Sequence, residues 1–580
     1  MAKYLTRLDH RNPLTIAIGV ALASTGAQAA TFNVTTNADA GPGSLRQAII
    51  DANTSAGPHD IVMSDISGQT ITLQSTLPAI ERELTIVGAG VTLDGNSYRC
   101  LYADEYYDAD SEQYFSYDLT VSSMTIENCT LLGDGGGIRG LETVTVSNSL
   151  IRNNLTAGDG GGIRGRNVIV TDSLISGNQA SGNGGGIFAL GGLQVIDSIV
   201  TENSASLGGG VVGAGGDGAK IIRNSLIADN QASGAVGGAY LYSYNKYGYD
   251  GTISIENSTI AYNTAPAIGG VDIQFKYDGD VSITNSTITG NEGTEAIGGL
   301  YVRNRYFYFD SVLFAEDVSM TLTGVTIHNN STPGAGGGLF FVNDAGYYGY
   351  SMEGNIAGTI IEGNPTGVGS EFDGLVGFGG PPLSEALQHR LDQAQRNRLP
   401  VLREHPVIGP LIAGYSDQEL RELAEQRLLG GGGMPEGVTT PPQFNVDFSI
   451  LGQTPDDAGF TPDAATTGAV GSNPQLGPLA NNGGQTPTLL PGPGGSGVNF
   501  IPSGQGGCGG TFNVDQRGEP RPGGGGTACD AGAVELQGDG PILPPDPVPV
   551  PTLGKIGAAA LGLGVALLGL LGFRRRRETV

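Results

Sequence analysis

Several residue types are scarce in this sequence, and each scarcity excludes a class of protein. The 580 residues include no Trp and only four Cys, and no C-x-x-C spacing typical of a metal site occurs. Lys and Arg number 29 against 57 Asp and Glu, and the resulting net charge of −28 repels nucleic acid and anionic lipid. The 98 Gly follow no strict three-residue period, which excludes collagen. A hydrophobic content of 39% is nevertheless enough for a core.

Internal repetition is the strongest feature that the sequence does have. A segment of the form Asn/Asp-Ser-x-Ile-x-x-Asn recurs at 148–154, 172–178, 197–203, 224–230, 257–263 and 285–291, with degenerate copies at 324–330 and 358–364. A Gly-Gly-apolar unit such as Gly136-Gly137-Ile138 follows most copies. The pairs ending at Gly137, Gly162, Gly186 and Gly210 lie 25, 24 and 24 residues apart. A period of this length indicates a solenoid.

Each copy is predicted to form one coil of an all-β fold, a right-handed parallel β-helix. Runs such as 143–146 alternate between inward and outward residues, as strands do. We expect the paired Gly to supply the positive φ of a sharp corner. The final Asn of each copy is predicted to hydrogen-bond to the same Asn one coil away, which makes a ladder.

The N-terminal part is predicted to contain a signal peptide, residues 1–29, and a cap with the first strands, residues 30–97. A basic segment, an apolar run at 14–23 and the small-x-small site Ala27-Gln28-Ala29 support the signal peptide. Ser44 reads as the N-cap of a helix over 45–52. This segment closely resembles the N-terminal CSLREA segment of bacterial exported β-helix proteins. Gly43 and Gln47 replace its Cys and Glu.

The remainder of the body divides by composition. Residues 98–380 are predicted to form the coils with Tyr-rich loops, and residues 381–433 an inserted helical hairpin rich in Arg. Residues 434–537 include three segments, 473–484, 515–522 and 529–535. Their sequences and their order resemble the choice-of-anchor Q region of cell-surface proteins. That resemblance implies a surface protein of undefined activity.

The C-terminal tail is predicted to be a sorting signal. A Pro-rich linker, residues 538–550, leads into residues 551–580, where an apolar run at 556–573 is long enough for a transmembrane helix. The tail resembles the IPTL-CTERM type of sorting signal, with Val550 where the family usually has Ile. The matching residues are Val550, Pro551, Thr552, Leu553, Arg574, Arg575, Arg576 and Arg577. The resemblance implies an exosortase-like sorting enzyme and an exported protein on the outer cell envelope, membrane-anchored at least as a precursor.

Two disulfides are expected in an exported chain with an even number of cysteines. Cys100 and Cys129 lie about one coil apart, so they could stack on adjacent coils. Cys508 and Cys529 bracket a Gly-rich segment.

Binding of a surface glycan or protein is the function that the loops favour. Three Tyr-rich insertions follow the Gly-Gly-apolar corner and are expected to project side by side from one edge, as hairpins that recognise a partner. The residues predicted to bind are Tyr242, Tyr244, Tyr247, Tyr249, Tyr306, Tyr308, Tyr347, Tyr348 and Tyr350. Alternatively, these Tyr only hold the hairpins together as cross-strand pairs.

Two rival functions stay open. The first is a polysaccharide lyase or glycoside hydrolase, for which Asp134, Asp159, Arg139 and Arg164 are the best candidates, although each also reads as a turn or ladder residue. The second is a passive structural protein of the envelope. No cofactor is predicted, although a Ca²⁺ site in the acidic first loop is possible with Asp104, Glu105, Asp108, Asp110, Glu112 and Asp118.

Overall fold

A computed structural model describes residues 29–537 of the chain. Residues 56, 109–112, 216–217, 245–250, 277–278, 306, 310–311, 315–316, 334–335, 344–350, 365–371, 375–442, 453–459 and 463 are excepted. The predicted signal peptide up to residue 28, the predicted helical hairpin at 381–433 and the predicted sorting tail from residue 538 therefore lie outside the described residues. Within the described part, no helix is long and apolar enough to cross a membrane.

The largest sheet, here called the long sheet, has 24 strands among the described residues, and its strand pairs are parallel. Its strands are Ala30–Asn33, His59–Val62, Thr70–Thr72, Leu84–Asp94, Leu119–Glu127, Thr143–Ser147, Leu150–Arg152, Asn167–Thr171, Leu174–Ser176, Leu193–Ile196, Ile199–Thr201, Lys220–Arg223, Leu226–Ala228, Ile253–Glu256, Thr259–Ala261, Gly279–Thr284, Thr287–Thr289, Val318–Thr323, Thr326–His328, Met352–Ala357, Ile360–Glu362, Gln443–Asp447, Ile450–Leu451 and Phe460–Pro462.

Two further parallel sheets complete each coil. The ten-stranded sheet contains Leu101–Tyr102, Ile138–Arg139, Ile163–Gly165, Ile187–Ala189, Val211–Gly213, Ala239–Ser243, Val271–Phe275, Leu300–Asn304, Leu339–Asn343 and Phe372–Gly374. The seven-stranded sheet contains Thr130–Leu131, Leu155–Thr156, Gln179–Ala180, Ser204–Ala205, Gln231–Ala232, Thr264–Ala265 and Glu292–Gly293.

The remaining described elements are short. Antiparallel pairs join Tyr106–Asp108 to Gln113–Phe115, Phe307–Phe309 to Val312–Phe314, Leu476–Ala480 to Thr488–Pro491, and Ile501–Pro502 to Ala528–Cys529. The helices are Leu45–Asn53 and Ala464–Ala469, with 3₁₀ turns at Ser64–Ile66 and Gly523–Gly525. A hairpin is expected in the loop after Asn304 and is present there, and the first loop forms one that the sequence did not predict.

The register of the strands follows the sequence repeat. In the ten-stranded sheet Ile138 pairs with Ile163, Ile163 with Ile187, and Ile187 with Val211. These are the apolar residues of successive Gly-Gly-apolar units, so equivalent positions of each copy stack on one another. The body is a solenoid of parallel strands, as the repeat predicts and as a parallel β-helix requires.

One continuous core fills the solenoid, because strand alternation sends every second side chain inward. Val144, Val146, Ile151 and Ile163 of a single coil are all 0% exposed. The buried cluster extends without a break from Val34 to Leu451. Hydrophobic burial is therefore repeated coil by coil and grows with length.

Polar ladders run through the same interior. The eight Asn that end the repeats are buried: Asn154, Asn178, Asn203, Asn230, Asn263, Asn291, Asn330 and Asn364. Each of the first seven donates from Nδ2 to Oδ1 of the next at 2.9–3.0 Å, which confirms the predicted ladder. The same Oδ1 also accepts the neighbour's backbone N–H, as Asn203 does from Asn178. Buried amides are fully paired in this way, which avoids a large desolvation cost.

The paired glycines were expected to have positive φ, and this is wrong. In the first coils the positive φ belongs to the residue before each pair, such as Gly135 at 74° and Gly160 at 71°. The pair itself lies against the next coil: a Cβ on Gly162 would come within 2.7 Å of the Gly186 carbonyl oxygen. Gly is required there by the close approach of two backbones.

Both predicted disulfides are present. Cys100 and Cys129 are bonded with their Cα atoms 5.7 Å apart, and Cys508 and Cys529 with theirs 5.8 Å apart. The predicted helix after Ser44 is also present, and Ser44 accepts the Gln47 N–H at its N-terminus. Leu45 and Ile49 of this helix are buried in the core.

The C-terminal region, residues 464–537, folds back along the outside of the long sheet. Gln516 donates to the Thr259 hydroxyl at 2.8 Å and accepts from the Thr287 hydroxyl at 2.6 Å. The Ala533 N–H donates to the Thr326 hydroxyl at 2.9 Å. These three Thr belong to neighbouring strands of successive coils, so the region is fixed to the flank of the solenoid.

Charged residues hold the C-terminal region together internally. Arg521 and Glu535 form an ion pair at 3.1 Å with side chains 0% and 1% exposed. Glu535 also accepts the N–H groups of Gly523 and Asp530. Segments 515–522 and 529–535, which resemble parts of the choice-of-anchor Q region, thus supply the ion pair and hydrogen bonds that hold this region together.

Candidate functional site

A cluster of aromatic side chains lies on the outer face of the ten-stranded sheet. In strand Ala239–Ser243, Ala239 and Leu241 point into the core and are 0% exposed. Tyr240 and Tyr242 alternate with them, so they lie on the outer face and are half-buried. Their rings are stacked, with centroids 6.3 Å apart and an interplanar angle of 7°.

Parallel pairing extends this face over the following coils. Tyr240 pairs with Asp272, Asp272 with Tyr301, and Tyr301 with Phe340. The Tyr301 and Phe340 rings are 6.0 Å apart and nearly parallel, at 22°. We call Tyr240, Tyr242, Asp272, Tyr301 and Phe340 the aromatic face.

An apolar cluster outside the main core supports these rings. It contains Val236, Ile268, Ile297 and Phe340, and Tyr240 and Tyr301 pack against it. Val236, Ile268 and Ile297 are corner residues just before their strands, and Phe340 lies within its strand. The rings are therefore held in place by packing and are not free to rotate as isolated surface side chains would be.

Asp272 is the one carboxylate of the aromatic face, and its surroundings are unusual. The residue is 3% exposed, and Oδ2 accepts from Gln274 Nε2 at 2.8 Å. Oδ1 is buried and has no hydrogen-bond partner among the described residues. Burial raises the pKa of this carboxyl to about 7, against the smaller opposing effects of Gln274, Arg303 and Arg305. Asp272 therefore changes its charge near neutral pH.

The same burial acts on the neighbouring phenols. It raises the pKa of Tyr242 to about 12, and it raises that of Tyr240 further. Both stay protonated at any physiological pH and can donate a hydrogen bond. Cations border the face: Arg305 donates to Gln274 Oε1 at 3.0 Å, and Lys276 Nζ lies 4.9 Å from the centroid of the Tyr244 ring.

No protein-family model, curated protein or solved structure matches this chain. What the chain binds has to be inferred from these side chains alone.

The predicted Tyr residues divide into two groups. Tyr242 belongs to the aromatic face, Tyr244 follows the end of the same strand, and Tyr308 lies in the hairpin strand Phe307–Phe309, paired with Leu313. Tyr247, Tyr249, Tyr306, Tyr347, Tyr348 and Tyr350 lie outside the described residues. Tyr242 had been assigned to a loop, and this is wrong: it belongs to a strand, because the later strands of the ten-stranded sheet extend to five residues.

Sequence reasoning missed Asp272 and Gln274 as members of the site. The signal was available in the alternation of Val271-Asp272-Ile273-Gln274-Phe275, which places both polar residues on the outer face. The equivalent position in neighbouring coils holds Tyr240 and Tyr301. Only the pairing register shows that the three side chains adjoin.

Three of the four residues proposed for an enzyme, Asp134, Asp159 and Arg164, lie side by side on successive coils. Asp134 Oδ1 accepts the Asp159 N–H at 3.0 Å, and Asp159 Oδ1 accepts the Asn183 N–H at 2.7 Å. Arg164 Nε lies 3.8 Å from Asp134 Oδ2. Burial, then the nearby Asp134 charge, raise the pKa of Asp159, while hydrogen bonds from Asn183 lower it. Each carboxylate thus fixes the turn of the next coil.

Arg139 of the enzyme hypothesis and the acidic loop of the Ca²⁺ hypothesis do not join this group. Arg139 pairs with Asp104, 3.6 Å away, and not with Asp134 or Asp159. Of the acidic first loop, Asp110 and Glu112 lie outside the described residues. Across the part of the chain that is described, no group of three or more His, Cys, Asp or Glu could hold a metal ion. The enzyme and Ca²⁺ hypotheses stay predictions.

Proposed function

We propose that this chain is an exported cell-surface protein that binds a glycan or protein partner through its aromatic face. The single observation that carries the proposal is the continuous row of Tyr240, Asp272, Tyr301 and Phe340 across four coils. Adjacent coils are about 4.8 Å apart. The row therefore extends over roughly 15 Å, the length of a short oligosaccharide or peptide.

The chemistry of the face suits a polar ligand with an apolar side. Stacked aromatic rings contact flat apolar surfaces such as one side of a sugar ring, and Tyr combines this with hydrogen bonding at little conformational cost. Gln274 and Arg305 supply amide and guanidinium groups at the border. A preformed, packed surface loses little entropy on binding.

Export and sorting form the second part of the proposal. The basic and apolar segments of residues 1–29 support a signal peptide, and two disulfides are compatible with an oxidising compartment outside the cytoplasm. The apolar run at 556–573 followed by four Arg supports insertion in a membrane, with the Arg in the cytoplasm. We place the body on the outer envelope, with an exosortase-like enzyme acting near Val550-Pro551-Thr552-Leu553.

The handedness of the solenoid belongs to the same proposal. Parallel strands joined by crossovers within one sheet connect right-handedly in nearly all proteins. We therefore assign the coils to a right-handed parallel β-helix.

A binding screen tests the aromatic face. The full chain in mild detergent is applied to an array of bacterial and host surface glycans, and the strongest ligand is then titrated against variants. Tyr242→Ala is expected to weaken binding by roughly tenfold or more, as truncation of an aromatic hot spot does. Tyr102→Ala removes a ring from the same sheet but several coils away, and it should leave the affinity unchanged.

Two results contradict the proposal. One is equal binding by wild type and Tyr242→Ala. The other is the absence of any ligand on the array together with the absence of a protein partner in crosslinking on intact cells.

A further inference from the structure

A second bend in each coil requires a left-handed backbone. The residue just before each ladder Asn has a positive φ, between 53° and 68°. The eight residues are Asn153, Gly177, Glu202, Asp229, Tyr262, Gly290, Asn329 and Gly363. Six of them are Gly, Asn or Asp, the types that adopt this conformation at least cost.

Tyr262 is the bulkiest exception in this column. Its φ is 56°, a conformation that is disfavoured for a large side chain. Strained residues of this kind persist at sites where the side chain serves a function. Burial accounts for only part of the choice, because Tyr262 is 48% exposed.

The Tyr262 ring extends towards the neighbouring coil. A Cβ on Gly290, the equivalent residue one coil further, would come 2.5 Å from Tyr262 Cε1. The absence of a side chain at Gly290 thus leaves room for one edge of the ring. The exposed part of the ring forms a fixed aromatic platform.

Polar side chains surround this platform. Asp229 holds the equivalent position one coil before, and it is exposed. Gln231 and Glu292 are also exposed and pair on either side of Thr264, two residues beyond the ring. Two carboxylates and an amide therefore lie on the two coils that flank the ring.

We propose that Tyr262 is the stacking platform of a second binding site, for a neutral sugar ring. The apolar side of the sugar lies on the phenol, and its hydroxyl groups donate to Asp229, Gln231 and Glu292. The carboxylates disfavour an acidic sugar, because like charges repel. A wholly apolar ligand is disfavoured too, because the border of the site would lose its hydration without compensation. This site lies on a different side of the coil from the aromatic face and is independent of it.

Binding and stability together test the proposal. The full chain in mild detergent is titrated with neutral oligosaccharides of hexoses and N-acetylhexosamines. Tyr262→Asn is expected to weaken binding by roughly tenfold or more. The same variant should have an unchanged or higher melting temperature, because Asn relieves the backbone strain.

Two further variants serve as controls. Tyr262→Phe keeps the ring and is expected to retain most of the affinity. Glu202→Asn relieves the same backbone position two coils away and should raise or keep the melting temperature without changing affinity.

Three results would overturn the proposal. A lower melting temperature for Tyr262→Asn with unchanged affinity shows that the ring is structural. Loss of sugar binding in Tyr242→Ala but not in Tyr262→Asn assigns the sugar to the aromatic face. Failure of the wild-type chain to bind any of these oligosaccharides removes the site altogether.

Discussion

At the scale of single residues, burial determines which polar groups the solenoid tolerates. The ladder Asn are buried but fully bonded: Asn203 Oδ1 accepts two hydrogen bonds, and its Nδ2 donates to the Ile175 carbonyl and to Asn230. Asp272 is buried with one oxygen lacking a partner among the described residues. The first arrangement stabilises the fold, and the second reduces stability whenever the carboxyl is ionised.

The Asp272→Asn variant is expected to change how stability depends on pH. The pKa of Asp272 is about 7 in the folded chain against 3.8 for a free carboxyl, so the native state binds the proton more tightly. This group therefore lowers the free energy of unfolding as the pH rises from about 4 to 7, and the loss is complete above pH 7. Above that pH Asp272→Asn should be more stable than wild type, by at most about 4 kcal/mol.

Urea unfolding at intervals from pH 4 to 8 measures this difference. Asp280→Asn, which removes an exposed carboxylate in the next strand of the solenoid, is the matched control and should follow the wild type. Parallel curves for wild type and Asp272→Asn would show that the carboxyl is not perturbed.

At the scale of the element, the spacing between coils is set by backbone approach. Each Gly-Gly pair lies under the carbonyl of the pair in the next coil, where a side chain has no room. The strands alone would permit larger residues at the corner. The pairs therefore require Gly because of close backbone contact and not because of a positive φ.

Gly186→Ala is expected to be strongly destabilising. The added Cβ would lie 2.7 Å from the Gly210 carbonyl oxygen, so two coils must separate locally. We expect a loss of roughly 2–3 kcal/mol in the free energy of unfolding. Gly468→Ala is the matched control, since it lies in helix Ala464–Ala469 with no atom within 4 Å of the new Cβ.

Chemical denaturation of both variants distinguishes the two environments. The control should be neutral or stabilised by about 0.5–1 kcal/mol, because Ala favours the helix. Equal effects in the two variants would mean that the coils can separate at no cost.

The same contacts show which parts of the fold are readable from sequence. The Asn ladder and the coil register repeat once per coil, and Cys100 and Cys129 are about one coil apart. The period in the sequence is therefore enough to predict all three. The position of Tyr242 was wrong because insertion length does not reveal whether a strand is extended or a loop begins. Asp272 stands out because it is buried, and Tyr262 because its φ is positive. Neither property is visible as a sequence motif.

At the scale of the whole molecule, the C-terminal region is joined to the solenoid across a long stretch of sequence. Gln516 contacts Thr259, which is 257 residues earlier. Such a contact has no periodicity, and sequence reasoning described residues 473–535 only by resemblance. The structure shows instead a region folded around Arg521 and Glu535 and bonded to three Thr of the long sheet.

Gln516→Ala is expected to loosen the C-terminal region without unfolding the coils. The change removes four hydrogen bonds of a buried amide, to Ser258, Thr259, Thr287 and Thr486. Hydrogen exchange should then rise by roughly tenfold or more in residues 476–535, since an unpaired buried group costs more than 1 kcal/mol.

Exchange of the ladder residues 154–291 should stay unchanged in the same experiment. Gln505→Ala, an exposed residue of the C-terminal region, is the control and should leave exchange as in the wild type. A uniform rise over the whole body would instead mean that the solenoid depends on this docking for its fold.

A pull on the chain beyond Gln537 would reach the solenoid through its flank. It passes through the network around Glu535 and enters the solenoid at Thr259, Thr287 and Thr326, on three neighbouring strands. A stack in which each coil holds only its neighbours is easiest to peel from an end. If the body is held through residues beyond 537, this docking shares the load among several coils, and the apolar cluster of Ala531, Ile360 and Ile450 extends it to the terminal coil at 443–451.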